Sequence, residues 1–225
     1  MTYQSYINLT DDFVEGVSEY LKRKGIPLED VVEVFAGNGK LGLQLGLKEN
    51  CNISDSLLFA TEGYEDFVNM RWEKSPKGVV VETAYETAIR FSAEGRNIRL
   101  MIIGAPLPAN SFYCPSYEVT RALHHLFDAT IFYIGEMFSP AFGSPKFFNH
   151  MEIVEDDMEQ LFTNLVVNNY DSTNGYFTSK IFSEPVILKP YLLKFKECAD
   201  EKCDCHSDSI IKMDVQKYSQ NQITK

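Results

Sequence analysis

The densest chemical information in the chain is the run Glu33-Val34-Phe35-Ala36-Gly37-Asn38-Gly39-Lys40-Leu41-Gly42. A short apolar stretch leads into two glycines one residue apart, and a helical pattern starts at Lys40. Gly37 and Gly39 have access to backbone conformations closed to other residues and let the main chain approach a ligand closely. The helix N-terminus beyond them offers N–H groups and the positive end of a dipole. Gly42 and Gly46, four residues apart, let that helix lie close to a sheet. A tight turn without a ligand is the simpler explanation of a lone glycine pair; strand, turn, helix and small-residue spacing together point to ligand binding.

Other residues have suitable chemistry. Glu62 follows Leu58-Phe59-Ala60-Thr61, 25 residues beyond Gly37. A carboxylate there accepts from both hydroxyls of a ribose, although a helix N-terminus uses such an acid equally well. Glu136 follows a predicted strand, at the carboxyl end where open α/β sheets bind ligands, with a solvent-facing loop acid as the plain alternative. Cys198, Cys203, Cys205 and His206 are metal-ligand types without the C-x2-C spacing of structural zinc sites. Asp200, Glu201, Asp204 and Asp208 around them suggest a solvated tail, and no metal ligand is assigned. His124 and His125 read as one packed and one exposed histidine of an amphipathic helix. Neither a G-x-S-x-G elbow nor a P-loop is present.

The elements that position these groups alternate. Asp11 to Lys24 reads as an amphipathic helix, ended by Gly25 and Pro27. Strands are expected at Val31–Phe35, Leu57–Thr61, Gly78–Thr83, Ile98–Ile103 and Thr130–Ile134. Helices between them are expected at Lys40–Leu47, Tyr64–Trp72, through Ala88, Ile89 and Phe91, and at Ser116–Phe127. Short apolar strands without alternation are buried on both faces, so the pattern predicts a doubly wound, mostly parallel α/β sheet. Beyond Gly135, a helix containing Phe147, Phe148 and Met151, a helix over Glu155–Val167, and strands at Tyr176–Phe182 and Val186–Phe195 are expected, the two strands as an antiparallel hairpin. The predicted domain spans 1–196, with its nucleotide-binding core at 31–134 and a C-terminal part at 135–196. Residues 197–225 read as a polar, flexible tail.

Composition narrows the function. Net charge is −11, from 32 acids and 21 bases, and no basic cluster exceeds Lys22-Arg23-Lys24. A nucleic-acid partner normally requires a basic footprint, so nucleic acid and an anionic membrane surface are both disfavoured. With no run of apolar residues long enough to span a bilayer and no signal-peptide pattern, a cytoplasmic location is expected. The odd count of five Cys fits reduced thiols. Sixteen Phe and twelve Tyr are read as large core side chains.

The stretch EVFAGNGKLG resembles the first motif of class I S-adenosylmethionine-dependent methyltransferases, acid-x-F-A-G-x-G-x-L-G. That resemblance implies a Rossmann-like fold over Val31 to Ile134 and S-adenosylmethionine as cofactor. It implies that Glu33 reaches the methionine amino group, often through water. Phe35, Ala36 and the Gly37-Asn38-Gly39 backbone would then lie beside the amino acid and ribose, with Glu62 on the ribose hydroxyls. The run Phe132-Tyr133-Ile134-Gly135-Glu136, with Gly143 and Phe147-Phe148 downstream, also looks methyltransferase-like. Two departures matter. No Asp follows the third strand, so Ala84 and Tyr85 would have to serve the adenine. Gly104-Ala105-Pro106-Leu107-Pro108 keeps prolines after the fourth strand but lacks the Asp or Asn that aligns an exocyclic amine, which argues against base N-methylation. Gly104 is then a cofactor contact, Pro106, Pro108 and Glu136 are the acceptor-aligning candidates, and Tyr113 a lid candidate. The implied activity is methyl transfer to a protein or small-molecule acceptor. A noncatalytic interaction partner, and an NAD-dependent oxidoreductase using Gly37, Gly39, Gly42 and Glu62, are the alternatives. Oligomeric state is not assigned.

Overall fold

A computed structural model describes residues 11–56, 77–104, 106, 114–139, 142–154 and 189–223. Helix α1 (Asp11–Lys24) begins with two acids and ends with Lys22, Arg23 and Lys24, which complements its dipole. Phe13, Val17, Tyr20 and Leu21 form its buried stripe. The alternation then follows as β1 (Val31–Val34), α2 (Lys40–Leu45), β2 (Ser54–Asp55), β3 (Val80–Val81), α3 (Ala84–Ala93) and β4 (Leu100–Gly104). After it come α4 (Pro115–Phe127), β5 (Thr130–Gly135), α5 (Pro145–Asn149), β6 (Met151–Ile153), β7 (Lys189–Phe195) and α6 (Ser209–Ile223).

Strands β1, β4 and β5 are parallel neighbours, with Val31 opposite Leu100 and Leu100 opposite Thr130. Strand β7 runs antiparallel to both β5 and β6. On the other flank β2 and β3 pair in parallel, and a parallel bridge between Glu33 and Ile53 joins them to β1. Hydrogen bonds from Glu33 N to Asn52 O and from Ala36 N to Ser54 O complete that seam. The spatial order is therefore β3-β2-β1-β4-β5-β7-β6, five parallel strands followed by a reversed strand and β6. Strand β1 has neighbours on both sides, as the burial of all its residues requires.

Alternate side chains of β5 show how both faces are covered. Phe132 meets Phe13 of α1 at 6.1 Å between ring centroids. On the opposite face, Tyr133 meets Phe147 of α5 at 5.8 Å, and Phe195, on that same face of β7, meets Tyr117 of α4 at 6.1 Å. Leu100, Met101, Ile102 and Ile103 of β4 are completely buried between these layers. Each such side chain contributes about 1.5–3 kcal/mol relative to exposure.

Several boundaries differ from expectation. The second strand adjoining β1 is Ser54–Asp55, earlier in the chain than the predicted Leu57–Thr61. Leu57–Thr61, the predicted helices Tyr64–Trp72 and Glu155–Val167, and the strand Tyr176–Phe182 lie outside the described residues. Helix α5 ends at Asn149, and Met151 begins a strand instead of extending the helix. Strand β7 is inserted between β5 and β6. The predicted flexible tail instead contains a 3-10 turn at Asp204–His206 and the 15-residue helix α6. That helix is fastened by Ile211, fully buried, and by Tyr85 Oη donating to Asp214 Oδ2 at 3.0 Å. Among the described residues no helix is long and apolar enough to cross a membrane.

Candidate functional site

Because β1 to β5 are parallel, the turn after β1 and the residues that end β2, β3, β4 and β5 share one edge of the sheet. Chain order reverses between β1 and β4, so the crevice at their carboxyl ends is the topological switch point where open α/β sheets bind ligands. The β1–β4 register pairs Val34 with Ile103, which sets Phe35 beside Gly104. Gly104 in turn pairs with Ile134, two residues before Glu136. The turn, Gly104 and Glu136 thus stand along one edge, and Pro106 is buried just beyond Gly104. Glu62, Pro108 and Tyr113 lie outside the described residues.

The turn itself is tightly specified. Phe35, Gly37 and Gly39 take left-handed φ values of 53°, 56° and 69°. For Phe35 this region is uncommon and costs of order 1–3 kcal/mol, which the surrounding structure must offset. Gly39 N donates to Ala36 O at 2.8 Å, closing the turn. Lys40 N donates to the Asn38 side chain at 3.1 Å. A Cβ on Gly39 would lie 2.7 Å from Val79 Cγ2 and 3.0 Å from Ile53 Cγ2, so this glycine is required for packing as well as for φ.

Two carboxylates brace the turn from below and from the side. Glu33, 5% exposed, accepts from Gly42 N at 2.8 Å and so ties strand β1 to helix α2. Burial pushes its carboxyl up to about 8; the Gly42 N–H opposes this shift and the charge of Asp55 adds to it. At neutral pH Glu33 is therefore mostly protonated. Asp55, at the end of β2, accepts from Gly37 N at 2.7 Å. It occupies the place expected for Glu62, an acid ending the strand beside β1. It stands 18 residues from Gly37, close to the roughly 20-residue interval of dinucleotide sites.

The third strand ends differently. Glu82 bonds Arg90 Nε at 3.0 Å and accepts from the Thr87 hydroxyl at 2.8 Å. Ala84 is buried in the first turn of α3, whose N-cap Thr83 forms a capping box with Glu86. The Tyr85 hydroxyl is directed to Asp214 of α6, so its described bond serves the C-terminal helix and not the glycine turn. A cavity of about 500 Å3, lined in part by Leu28, Cys51 and Arg96, opens at the amino ends of β1 and β2, the opposite edge. The switch point remains the better site, because the cavity collects no glycine turn or strand-end carboxylate.

The cysteine cluster also departs from expectation. Cys198, Cys203 and Cys205 converge with His150, their ligand atoms all within 4.8 Å of one another. His206, the expected neighbour, bonds Glu197 at 3.0 Å instead. His124 and His125 are both half-buried, the first beside Glu197 and the second bonded to Cys205 O at 2.8 Å. No protein-family model matches the chain, and no curated protein matches it.

Proposed function

We propose that the chain is a Rossmann-like, class I methyltransferase-like protein that binds S-adenosylmethionine at the Phe35–Gly39 turn and transfers its methyl group. The observation that carries this reading is the turn: three left-handed residues at the carboxyl end of β1, beside the β1–β4 switch point, with Asp55 ending the neighbouring strand. The order β3-β2-β1-β4-β5 matches that of dinucleotide-binding folds, and the reversed β7 is an antiparallel C-terminal strand of the kind the apolar pattern of Val186–Phe195 leads one to expect.

Bound S-adenosylmethionine would supply the electrophilic methyl group, leaving the protein to bind and align. In this reading the Phe35–Gly39 backbone and Asn38 flank the amino acid and ribose, and Asp55 replaces Glu62 as the anionic acceptor for the ribose hydroxyls. Glu33 faces the ammonium end; a nearby cation favours its ionised form and lowers its raised pKa. Gly104 borders the crevice, and Pro106, Pro108 and Glu136 align the acceptor. The charge of −11 favours a protein or small-molecule acceptor over nucleic acid. Five cysteines without a disulfide among them favour the cytoplasm.

One observation favours a noncatalytic, partner-binding alternative. Glu82 is engaged by Arg90 and Tyr85 by Asp214, which leaves Ala84 to serve the adenine. Gly42, packed against Glu33 and Ile53, also fits the third glycine of a dinucleotide frame, so NAD is the informative control. Release of S-adenosylhomocysteine from S-adenosylmethionine in the presence of candidate acceptors tests transfer. Binding of both compounds without turnover over a broad acceptor panel would favour the noncatalytic reading.

A further inference from the structure

Strand β7 delivers Cys198 three residues past its end, and the 3-10 turn Asp204–His206 presents Cys203 and Cys205. His150 arrives from a distant point in the sequence, immediately after α5. Its Nδ1 lies 2.7 Å from Lys146 O. A carbonyl only accepts, so Nδ1 carries the proton and Nε2 presents its lone pair to the cluster. Metal-bound histidines commonly use this arrangement, in which a backbone carbonyl fixes tautomer and ring orientation. The ring is further held against Phe195, with centroids 5.5 Å apart, and edge-on to Tyr117 at 5.2 Å.

Two of the spacings match the edges of a tetrahedron around one ion, and all four ligand atoms lie within 4.8 Å of one another. Zinc–sulfur bonds of about 2.3 Å and zinc–nitrogen bonds of about 2.0–2.1 Å give tetrahedral edges of about 3.7–3.8 Å between sulfurs and about 3.5–3.6 Å from sulfur to nitrogen. Cys198 Sγ and Cys205 Sγ are 3.6 Å apart, and Cys203 Sγ is 3.6 Å from His150 Nε2. A disulfide would bring two sulfurs to about 2.0 Å. The ligand-bearing turn is also fixed from outside the cluster. Asp204 accepts from Tyr117 Oη and from Lys146 Nζ, each at 2.8 Å, and its carbonyl accepts from Arg121 at 3.0 Å.

We propose that His150, Cys198, Cys203 and Cys205 form a closed Cys3His zinc site that anchors the C-terminal segment to the sheet. Three sulfur donors and one imidazole select zinc among common divalent ions, and four protein ligands leave no position for a substrate, so the role is structural. The site locks the α5–β6 junction to the residues that lead into α6, and through the bond between Tyr85 and Asp214 to α3.

The test uses the full chain, purified under reducing conditions without chelator or polyhistidine tag, with metal measured by mass spectrometry. One zinc per chain is expected. Chelator-stripped protein titrated with cobalt(II) should give the visible absorption of a tetrahedral thiolate complex, displaced by zinc, and stripping should lower Tm and expose α6 to hydrogen exchange. His206→Gln, outside the cluster, should keep full metal content, whereas Cys198→Ser/Cys205→Ser should lose it. If the double variant fails to fold, the wild-type zinc content and cobalt spectrum decide. Substoichiometric zinc together with an octahedral cobalt spectrum overturns the proposal. Full zinc content in the folded double variant, or a disulfide revealed in the intact mass of freshly purified reduced protein, also overturns it.

Discussion

Glu33 Oε2 accepts the Gly42 N–H at 2.8 Å, and a Cβ on Gly42 would stand 2.5 Å from that same oxygen. The acid that opens the glycine motif and the glycine that closes it are thus one packing unit, joined under the turn that they frame.

Gly42→Ala should therefore destabilise the fold. The added methyl group also meets Ile53 Cδ1 at 2.9 Å, so the Glu33 carboxyl and the Ile53 side chain must shift. Overpacking of this kind costs about 1–3 kcal/mol. Urea denaturation of the variant should show a lower midpoint; an unchanged midpoint would mean that the seam relaxes freely.

Glu33 should impose a pH dependence on stability. Its folded-state pKa is raised from 4.5 to about 8, so between these values the folded chain holds a proton that the unfolded chain has released. Its contribution is fully present below pH 4.5, falls as pH rises, and is lost above about 8. Glu33→Gln keeps an acceptor for Gly42 but cannot ionise. The variant's stability should decline less than that of wild type from pH 5 to 9. Parallel curves would place the Glu33 proton elsewhere.

Asp55 and Glu82 end adjacent strands but should behave differently. Asp55→Asn should weaken S-adenosylmethionine binding, since a hydrogen bond to a charged group contributes roughly 1.5–3 kcal/mol. Glu82→Gln breaks the pair with Arg90, whose two side chains are 10% and 12% exposed, and should lower Tm while leaving affinity alone. Affinity and melting temperature measured on both variants separate the roles. Equal affinity losses would bring Glu82 into the site.

Tyr85→Phe should cost about 0.5–1.5 kcal/mol through loss of the bond to Asp214. Hydrogen exchange should quicken in α6 without a change at the glycine turn. Weakened cofactor binding with unchanged exchange would instead return Tyr85 to the adenine.

The sequence displays what local pattern encodes. The apolar runs of β4 and β5 are continuous, and that of β1 is broken only by Glu33, because both faces are buried; their positions shift only by a residue or two. Strand β2 escapes because Ile53-Ser54-Asp55 has one apolar side chain. Ser54 is buried through its 2.6 Å bond to Thr87, a partner 33 residues away. The apolar Leu57–Ala60 run draws the strand expectation away from Ser54–Asp55, and with it the expected ribose acid is placed at Glu62, outside the described residues. Helix α6 has little amphipathic pattern, since it is held by a few specific contacts and not by a stripe. His150 stands 48 residues before Cys198, so no local spacing reveals it as the cluster's fourth member.

Calorimetric titration of the wild-type chain with S-adenosylmethionine, S-adenosylhomocysteine and NAD reads directly which cofactor the glycine turn binds. Saturable one-to-one binding of the first two, weaker binding in Asp55→Asn, and no heat with NAD are expected. Saturable binding of NAD alone, or no heat from any of the three with a folded protein, would contradict S-adenosylmethionine as the cofactor.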